Sequence, residues 1–277
     1  MPLSFEPIFE PFLLPSRLFP TRIYRKGQRA YWAGTLQDSY LHWPTIADFR
    51  AVNGQTLHVA AHTKEEGVLK LFLDSEATGL IGLQQGYFLL HASCVNIANE
   101  AVIFAGMPGA GKSTTTAAFV RAGYAPLADD MVVVKIGEDG QPYVIPAGPQ
   151  MKIWQTTAEG LGFHPTDLTP CFEGHNKFYY TFQGHYSFNP VPLKKIFLLH
   201  RSNRFGTHQT VPATKVPFEL LKHFPLPHQL LRGPYLQQHF QQSLQIARHA
   251  AVTLLRRPKD FEQLQLFVKT YAPTHFL

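Results

Sequence analysis

From Ile23 to about Leu80, apolar residues recur in short alternations interrupted by Gly27, Gly34, Gly54, Gly67 and Gly79. This pattern predicts small strands and turns, a β-rich cap over residues 1–84. Tyr87 to Ile97 is a β-favouring run, Ala98-Asn99-Glu100 reads as a turn, and Ala101 to Ala105 is a second apolar run, together predicting two antiparallel strands. Behind a glycine-rich stretch, Lys112 to Ala122 predicts a helix that packs through Ala117, Ala118 and Phe119 and stops at Gly123. Ala125 to Asp130 leads into an apolar run from Met131 to Ile136, a turn at Gly137 to Gly140 and a short strand at Tyr143 to Ile145, which reads as a hairpin. Lys194 to His200 predicts one more strand. The tail from Val216 to Thr270, rich in Leu, Gln and His at helical spacing, predicts helices broken at Pro258.

Composition narrows this picture. With 277 residues, 45% of them hydrophobic and 13% aromatic, the chain can bury one sizeable core. A net charge of +6 suits an anionic ligand, but Lys and Arg are scattered and not gathered into a stripe, which points away from nucleic acid. Cys94 and Cys171 lie far apart without metal-ligand neighbours, so the cysteines indicate neither a disulfide framework nor a zinc site, and a cytoplasmic setting is expected. The apolar start, Met1 to Pro20, lacks a basic beginning and is interrupted by Pro7, Pro11 and Pro15, unlike a signal peptide. No run approaches the roughly 18 apolar residues of a membrane span.

The chemistry centres on Gly106-Met107-Pro108-Gly109-Ala110-Gly111-Lys112-Ser113, followed by Thr114. In a G-x-x-x-x-G-K-[ST] loop, glycines let the backbone curl until several amides point inward, and these amides with the helix N-terminus hold phosphate oxygens. Lys112 adds a charge for the β- and γ-phosphates, and Ser113 offers a hydroxyl to Mg2+. The alternative, a chance glycine-rich turn, is set aside because the motif is complete and sits between a strand and a helix. ATP and Mg2+ are therefore the expected cofactors.

Asp129-Asp130 precede an apolar run, whereas common phosphate-loop enzymes place the metal-linked Asp after one. With the hairpin ahead of the loop, this predicts an α/β fold with a mixed, partly antiparallel sheet. Adjacent carboxylates there can hold Mg2+ and accept a proton from an attacking hydroxyl, the alternative being a solvated turn pair. His91, on the strand paired with the one entering the loop, could donate a hydrogen bond or a proton to a phosphate, and from the residues alone a structural role for it stays open. Cys94 reads as core.

His91-Ala92-Ser93, then Gly106 to Ser113, then Leu127-Ala128-Asp129-Asp130 resembles the catalytic domain of HPr serine kinase/phosphorylase, in which a His, a phosphate loop and paired Asp residues follow in that order. The resemblance covers residues 85–136 and extends more loosely over Lys194 to Arg201. It implies a fold similar to phosphoenolpyruvate carboxykinase in a catalytic domain spanning 85–277. The implied roles are His91 at the phosphate, Lys112 on the β- and γ-phosphates, Ser113 on Mg2+, Asp129 as general base and Asp130 at the metal. The family's Glu-x-Arg-Gly-x-Gly signature is missing, and the N-terminal part differs from its regulatory domain, so neither HPr as substrate nor phosphorolysis is carried over. Size, the β-rich front and the Gln- and Leu-rich tail look more like the relatives that phosphorylate a serine of ribosomal, lasso-type precursor peptides. In that reading Lys177 and Arg201 could contact phosphate or a substrate carboxylate, or be ordinary surface charge.

The expected activity is ATP-dependent phosphoryl transfer to a serine of a peptide or protein, in a chain that can form homo-oligomers as relatives do. A small-molecule kinase and a nucleotide-switched binding module without turnover are the alternatives. No membrane or nucleic-acid partner is expected.

Overall fold

In the computed structural model, which describes residues 5–201 and 208–274, the N-terminal alternation becomes a sheet of six described strands. They are β1 (Pro7–Phe9), β2 (Phe19–Arg25), β3 (Gln28–Gly34), β4 (Asp38–Trp43), β5 (Ala47–Val52) and β6 (Thr56–Ala61), in the order β1-β6-β5-β4-β3-β2. The period-two pattern sorts its faces: Ser39, Leu41 and Trp43 of β4 are buried, while Asp38, Tyr40 and His42 belong to the opposite face. Against the buried face lie α1 (Glu66–Phe72) and α2 (Thr78–Gln84), with Trp43 and Phe72 meeting edge to face at 4.7 Å between ring centroids. Phe224, Leu226, Leu230 and Leu231 join the same core.

The second sheet is built from β7 (Phe88–Leu90), β8 (Ala92–Ile97), β9 (Glu100–Ala105), then, after α3 (Lys112–Arg121), β10 (Pro126–Ala128), β11 (Val132–Ile136) and β12 (Pro142–Ile145). A small sheet of β13 (Gln150–Trp154), β14 (Leu168–Pro170) and β15 (Lys177–Thr181), with α4 (Gln155–Leu161) after β13, follows in a stretch that carries no local pattern of its own. The chain then forms β16 (Val191–Arg201), β17 (His208–Thr210), α5 (Val216–Leu221), α6 (Pro234–His249), β18 (Ala251–Arg257) and α7 (Phe261–Thr274). The strand order is β10-β8-β9-β16-β12-β11-β7, with β18 also beside β16. Strands β9, β16 and β18 are mutually parallel, and the β8–β9 and β11–β12 pairs are antiparallel, as expected of a mixed sheet. One face packs on α3, α4 and α7, the other on α5 and α6. At the sheet's centre Phe104 and Phe197 are register partners whose rings stack 5.8 Å apart.

Several expectations are corrected. Residues 66–84, expected as strands and turns, are helical, because Val68, Leu71, Phe72, Leu80 and Ile81 recur at three- and four-residue spacing. Gly67 and Gly79 are helical residues there, not turn markers: a Cβ on Gly79 would stand 2.8 Å from the Met131 side chain, so the glycine permits close packing. The tail is not wholly helical, since β18 interrupts it. Val252, Thr253 and Leu255 are each at most 2% exposed, the continuous burial of a parallel strand covered on both faces. Asp129 and Asp130 do not begin a strand but join buried β10 to β11, and His91 occupies the bend where the chain leaves β7, paired with β11, for β8, paired with β9. Cys94 is buried core. Among the described residues, no helix is long and apolar enough to cross a membrane.

Two buried histidines make stability pH-dependent. His239 lies between Phe88 and Phe224, 4.5 and 6.0 Å from their ring centroids, and its buried Nε2 has no hydrogen-bond partner among the described residues. Burial, aided by His228, holds its pKa down to about 4, and burial with Lys112 and His91 does the same for His223. The unfolded chain protonates these rings near pH 6.5 and the folded chain only near 4, so stability is lost as pH falls through that window. The expected loss is about 3 kcal/mol per ring. Thermal melts across this range should flatten in His239→Phe, and an unchanged slope in that variant would rule out the ring as a contributor.

Candidate functional site

The Gly106–Ser113 segment leaves the carboxyl end of β9, beside the parallel ends of β16 and β18, and opens α3. Its curl is set by Gly109 and Gly111 at φ +80° and +94° and closed by a bond from the Ala110 amide to the Met107 carbonyl, 3.0 Å. A Cβ at Gly111 would stand 2.7 Å from Nε of the buried Arg257, at the end of β18. The first amide bonded within α3 is that of Thr115, to the Gly111 carbonyl, so those of Lys112, Ser113 and Thr114 have the freedom of any helix start. The Thr114 hydroxyl is 3.0 Å from that of Thr157. Lys112 lies back across the loop, its ammonium donating to the Gly106 carbonyl at 3.0 Å, and burial lowers its pKa against the pull of Asp130 and Asp129.

Asp129 is bound to this loop. Its Oδ1 accepts from the hydroxyls of Ser113 at 3.2 Å and Ser93 at 2.8 Å, and its Oδ2 from the Lys152 amide at 2.9 Å, so α3, β8 and β13 all hold it. Burial and the neighbouring Asp130 charge raise its pKa. Asp130 has φ +67°, the left-handed region that Asp tolerates better than most residues, which turns its carboxylate away from that of Asp129. Its Oδ2 pairs with the Lys152 ammonium and, at 3.5 Å, with Arg25 of β2. Burial alone would push its carboxyl up, but Lys152, Lys177 and Arg25 outweigh burial and hold it well below the usual carboxylate range. Both pairs fall on Oδ2; among the described residues no hydrogen bond occupies Oδ1.

Behind Asp130 stands an ionic network that no motif announces. The Arg25 guanidinium also reaches Glu173 at 3.3 Å, Glu76 at 3.4 Å and the Ser75 hydroxyl at 2.7 Å, while Glu173 accepts from Lys152 at 3.2 Å and Lys177 at 2.6 Å. Lys177, one of two candidate cations from the sequence, thus belongs to the site; the side chain of the other, Arg201, lies outside the described residues. Arg25, Glu76, Lys152 and Glu173 were invisible to sequence reasoning, since single charged residues scattered from the second strand to residue 173 form no spacing pattern.

His91 has its amide bonded to the His223 carbonyl at 2.7 Å and its Nδ1 2.9 Å from the Asp130 carbonyl. A carbonyl accepts only, so Nδ1 carries the proton, and Nε2 of the neutral ring is an acceptor. Burial and Lys112 lower its pKa, so donation by Nε2 requires a second proton that an adjacent anion would help to supply. A cavity of about 890 Å³ opens over His91, Asp130 and the first three loop residues, Gly106, Met107 and Pro108, and is lined also by Arg22, Lys26 and Arg232.

No protein-family model matches the chain, and none of the curated proteins does. Among solved structures it is similar to the HPr(Ser) kinase/phosphatase from Coxiella burnetii, at 14% identity over 68% of this chain and 95% of that one, with a TM-score of 0.35. A likeness of that size leaves the assignment to the chain's own residues.

Proposed function

We propose that this chain is an ATP- and Mg2+-dependent phosphotransferase whose acceptor is a serine hydroxyl of a peptide or protein. The observation that carries the proposal is the Asp129–Ser113 hydrogen bond at the start of α3, which puts a carboxylate beside the hydroxyl of a complete phosphate-loop motif. The loop amides of Gly109 and of Gly111 to Thr114 bind the β- and γ-phosphates of ATP, and Lys112 exchanges the Gly106 carbonyl for phosphate oxygens. The hard oxygen donors of Ser113 and Asp129 fit Mg2+, which when bound neutralises charge on the phosphates.

The two acids divide the work in the opposite sense from the resemblance. Asp129, tied to Ser113, is the metal-side group, and Asp130, facing the cavity with Oδ1 uncommitted, is the acceptor-side group. In the transfer, the acceptor oxygen bonds to the γ-phosphorus, the bond to the β–γ bridging oxygen breaks, and the hydroxyl proton passes to Asp130 Oδ1. A carboxylate held ionised by Lys152 and Arg25 takes that proton late, which suits a loose transition state in which bond making lags. His91, once protonated, donates through Nε2 to the same phosphate. The cavity, near the upper end of the roughly 300–1,000 Å³ of small-ligand sites, leaves room for an acceptor beside the nucleotide phosphates.

Incubation with γ-labelled ATP, Mg2+ and serine-containing peptides encoded near the gene, followed by mass spectrometry, tests this reading. Phosphoserine in a peptide is the expected product. Label in a metabolite would move the acceptor to a small molecule, and tight ATP binding with no transfer would leave a nucleotide-switched binding module. Gly111→Ala, strained at φ +94° and crowding Arg257, is expected to weaken ATP binding about 10- to 100-fold by calorimetry; wild-type affinity would remove the loop from the nucleotide site.

A further inference from the structure

We infer that the face of the N-terminal sheet turned away from its core carries a binding site for a divalent transition metal of the zinc class, formed by His42, Asp48 and His62. The three come from separate strands or strand ends, and pairing brings them together: His42 of β4 and Asp48 of β5 are direct cross-strand partners, and Asp48 faces Ala60 of β6, two residues before His62. The period of two puts residues 60 and 62 on one face, so His62 reaches Asp48 along the diagonal over the small Ala60 side chain. Backbone bonds fix the third group, because the amides of His62 and Thr63 both donate to the Ile46 carbonyl, at 2.9 and 3.1 Å.

The carboxylate is divided between the rings. Asp48 Oδ1 lies 2.5 Å from His42 Nδ1, and Oδ2 lies 3.1 Å from His62 Nε2. One ligand atom from each residue falls within 4.8 Å of the others. Tetrahedral bonds of about 2.0–2.2 Å set ligand atoms about 3.4 Å apart, so adjustments of an ångström or so at the side chains would seat an ion. Asp48 is 6% exposed, and among the described residues its ion-pair partners are the two imidazoles, with no Lys or Arg. Both of its oxygens therefore face the space between the two rings, where a cation would meet them. Two imidazoles and one carboxylate suit zinc, nickel or cobalt over magnesium, and His62, at 36% side-chain exposure, leaves a route for the ion and a fourth position for water. The Tyr31 ring, 5.9 Å from that of His42, walls the other side. This site is separate from the Ser113–Asp129 centre and independent of the function proposed for it.

The test uses the full chain, stripped with chelator and titrated with Co2+ in excess Mg2+ to mask the oxygen-rich centre. One equivalent of Co2+ should give visible d–d bands that Zn2+ bleaches, and Zn2+ should raise the melting temperature. His62→Ala, at a partly exposed position, and Asp48→Asn should each weaken Co2+ binding by more than about 100-fold, while His58→Ala, which removes a histidine on the same face paired with Glu10, should leave it unchanged. Absence of the bands, or equal binding by wild type and His62→Ala, would show that the cluster is a hydrogen-bonded triad only and overturn the inference, as would equal loss in His58→Ala.

Discussion

Asp130→Asn is expected to lower the rate of phosphoryl transfer by about 10²–10⁴-fold, the range for a lost proton acceptor, with ATP affinity kept within a few-fold. Asparagine tolerates the left-handed backbone as well as aspartate does, so φ +67° survives the change and the loss reports on chemistry. Asp129→Asn should act differently. Its carboxylate oxygens accept from Ser113, Ser93 and the Lys152 amide, and an amide group can satisfy only part of that set. The expected result is a rise of about 10- to 100-fold in the Mg2+ concentration for half-maximal rate. Steady-state kinetics with Mg2+ titrations in both variants separates the roles. If Asp129→Asn abolished turnover at saturating Mg2+ while Asp130→Asn shifted only the Mg2+ requirement, the order of roles implied by the resemblance would stand instead.

Arg25→Met is expected to destabilise the fold by about 3–5 kcal/mol, because it leaves Glu76 and Glu173 facing each other and Asp130 with less compensation for charge. Its pKa is raised, with burial opposing and Glu76, Glu173 and Asp130 prevailing, so the guanidinium stays charged wherever the fold survives. Denaturant melts should show the loss, and Arg25→Met/Glu76→Gln should recover part of it by removing one stranded charge. In the surviving folded fraction, kcat should fall with KM for ATP little changed, since Arg25 contacts Asp130 and not the Gly106–Ser113 loop. Arg25→Lys should rescue only partly, because a single ammonium cannot reach three carboxylates and Ser75 as the planar fork does. A variant as stable and active as wild type would mean that the β2 arginine is incidental to the site.

What was legible along the chain was what neighbouring residues settle among themselves. The Gly106–Ser113 loop, α3 with its end at Gly123, the two hairpins and β16 were all read near their observed places. Each depends on turn chemistry or on a period within about ten residues. The misreadings share a cause. Gly67 and Gly79 looked like turn residues, but the rings and side chains they admit, Phe172 and Met131, come from other parts of the chain. Residues 251–257 looked like part of a helical tail, but the register with Lys195 to Arg201 of β16 makes them a strand.

The sequence by itself determined the local layout at the centre of the proposed site: a curled loop with Lys112 and Ser113 at a helix start and two adjacent acids on the next connection, because these depend on residue type and short spacing. Tertiary structure alone decided the partners of each acid. The left-handed backbone at Asp130 sends its side chain toward Lys152 and toward Arg25, 105 positions away, while Asp129 stays on Ser113. It also decided that His42, Asp48 and His62 meet. Strand order and register set such distances, and neither leaves a mark in the local run of residues.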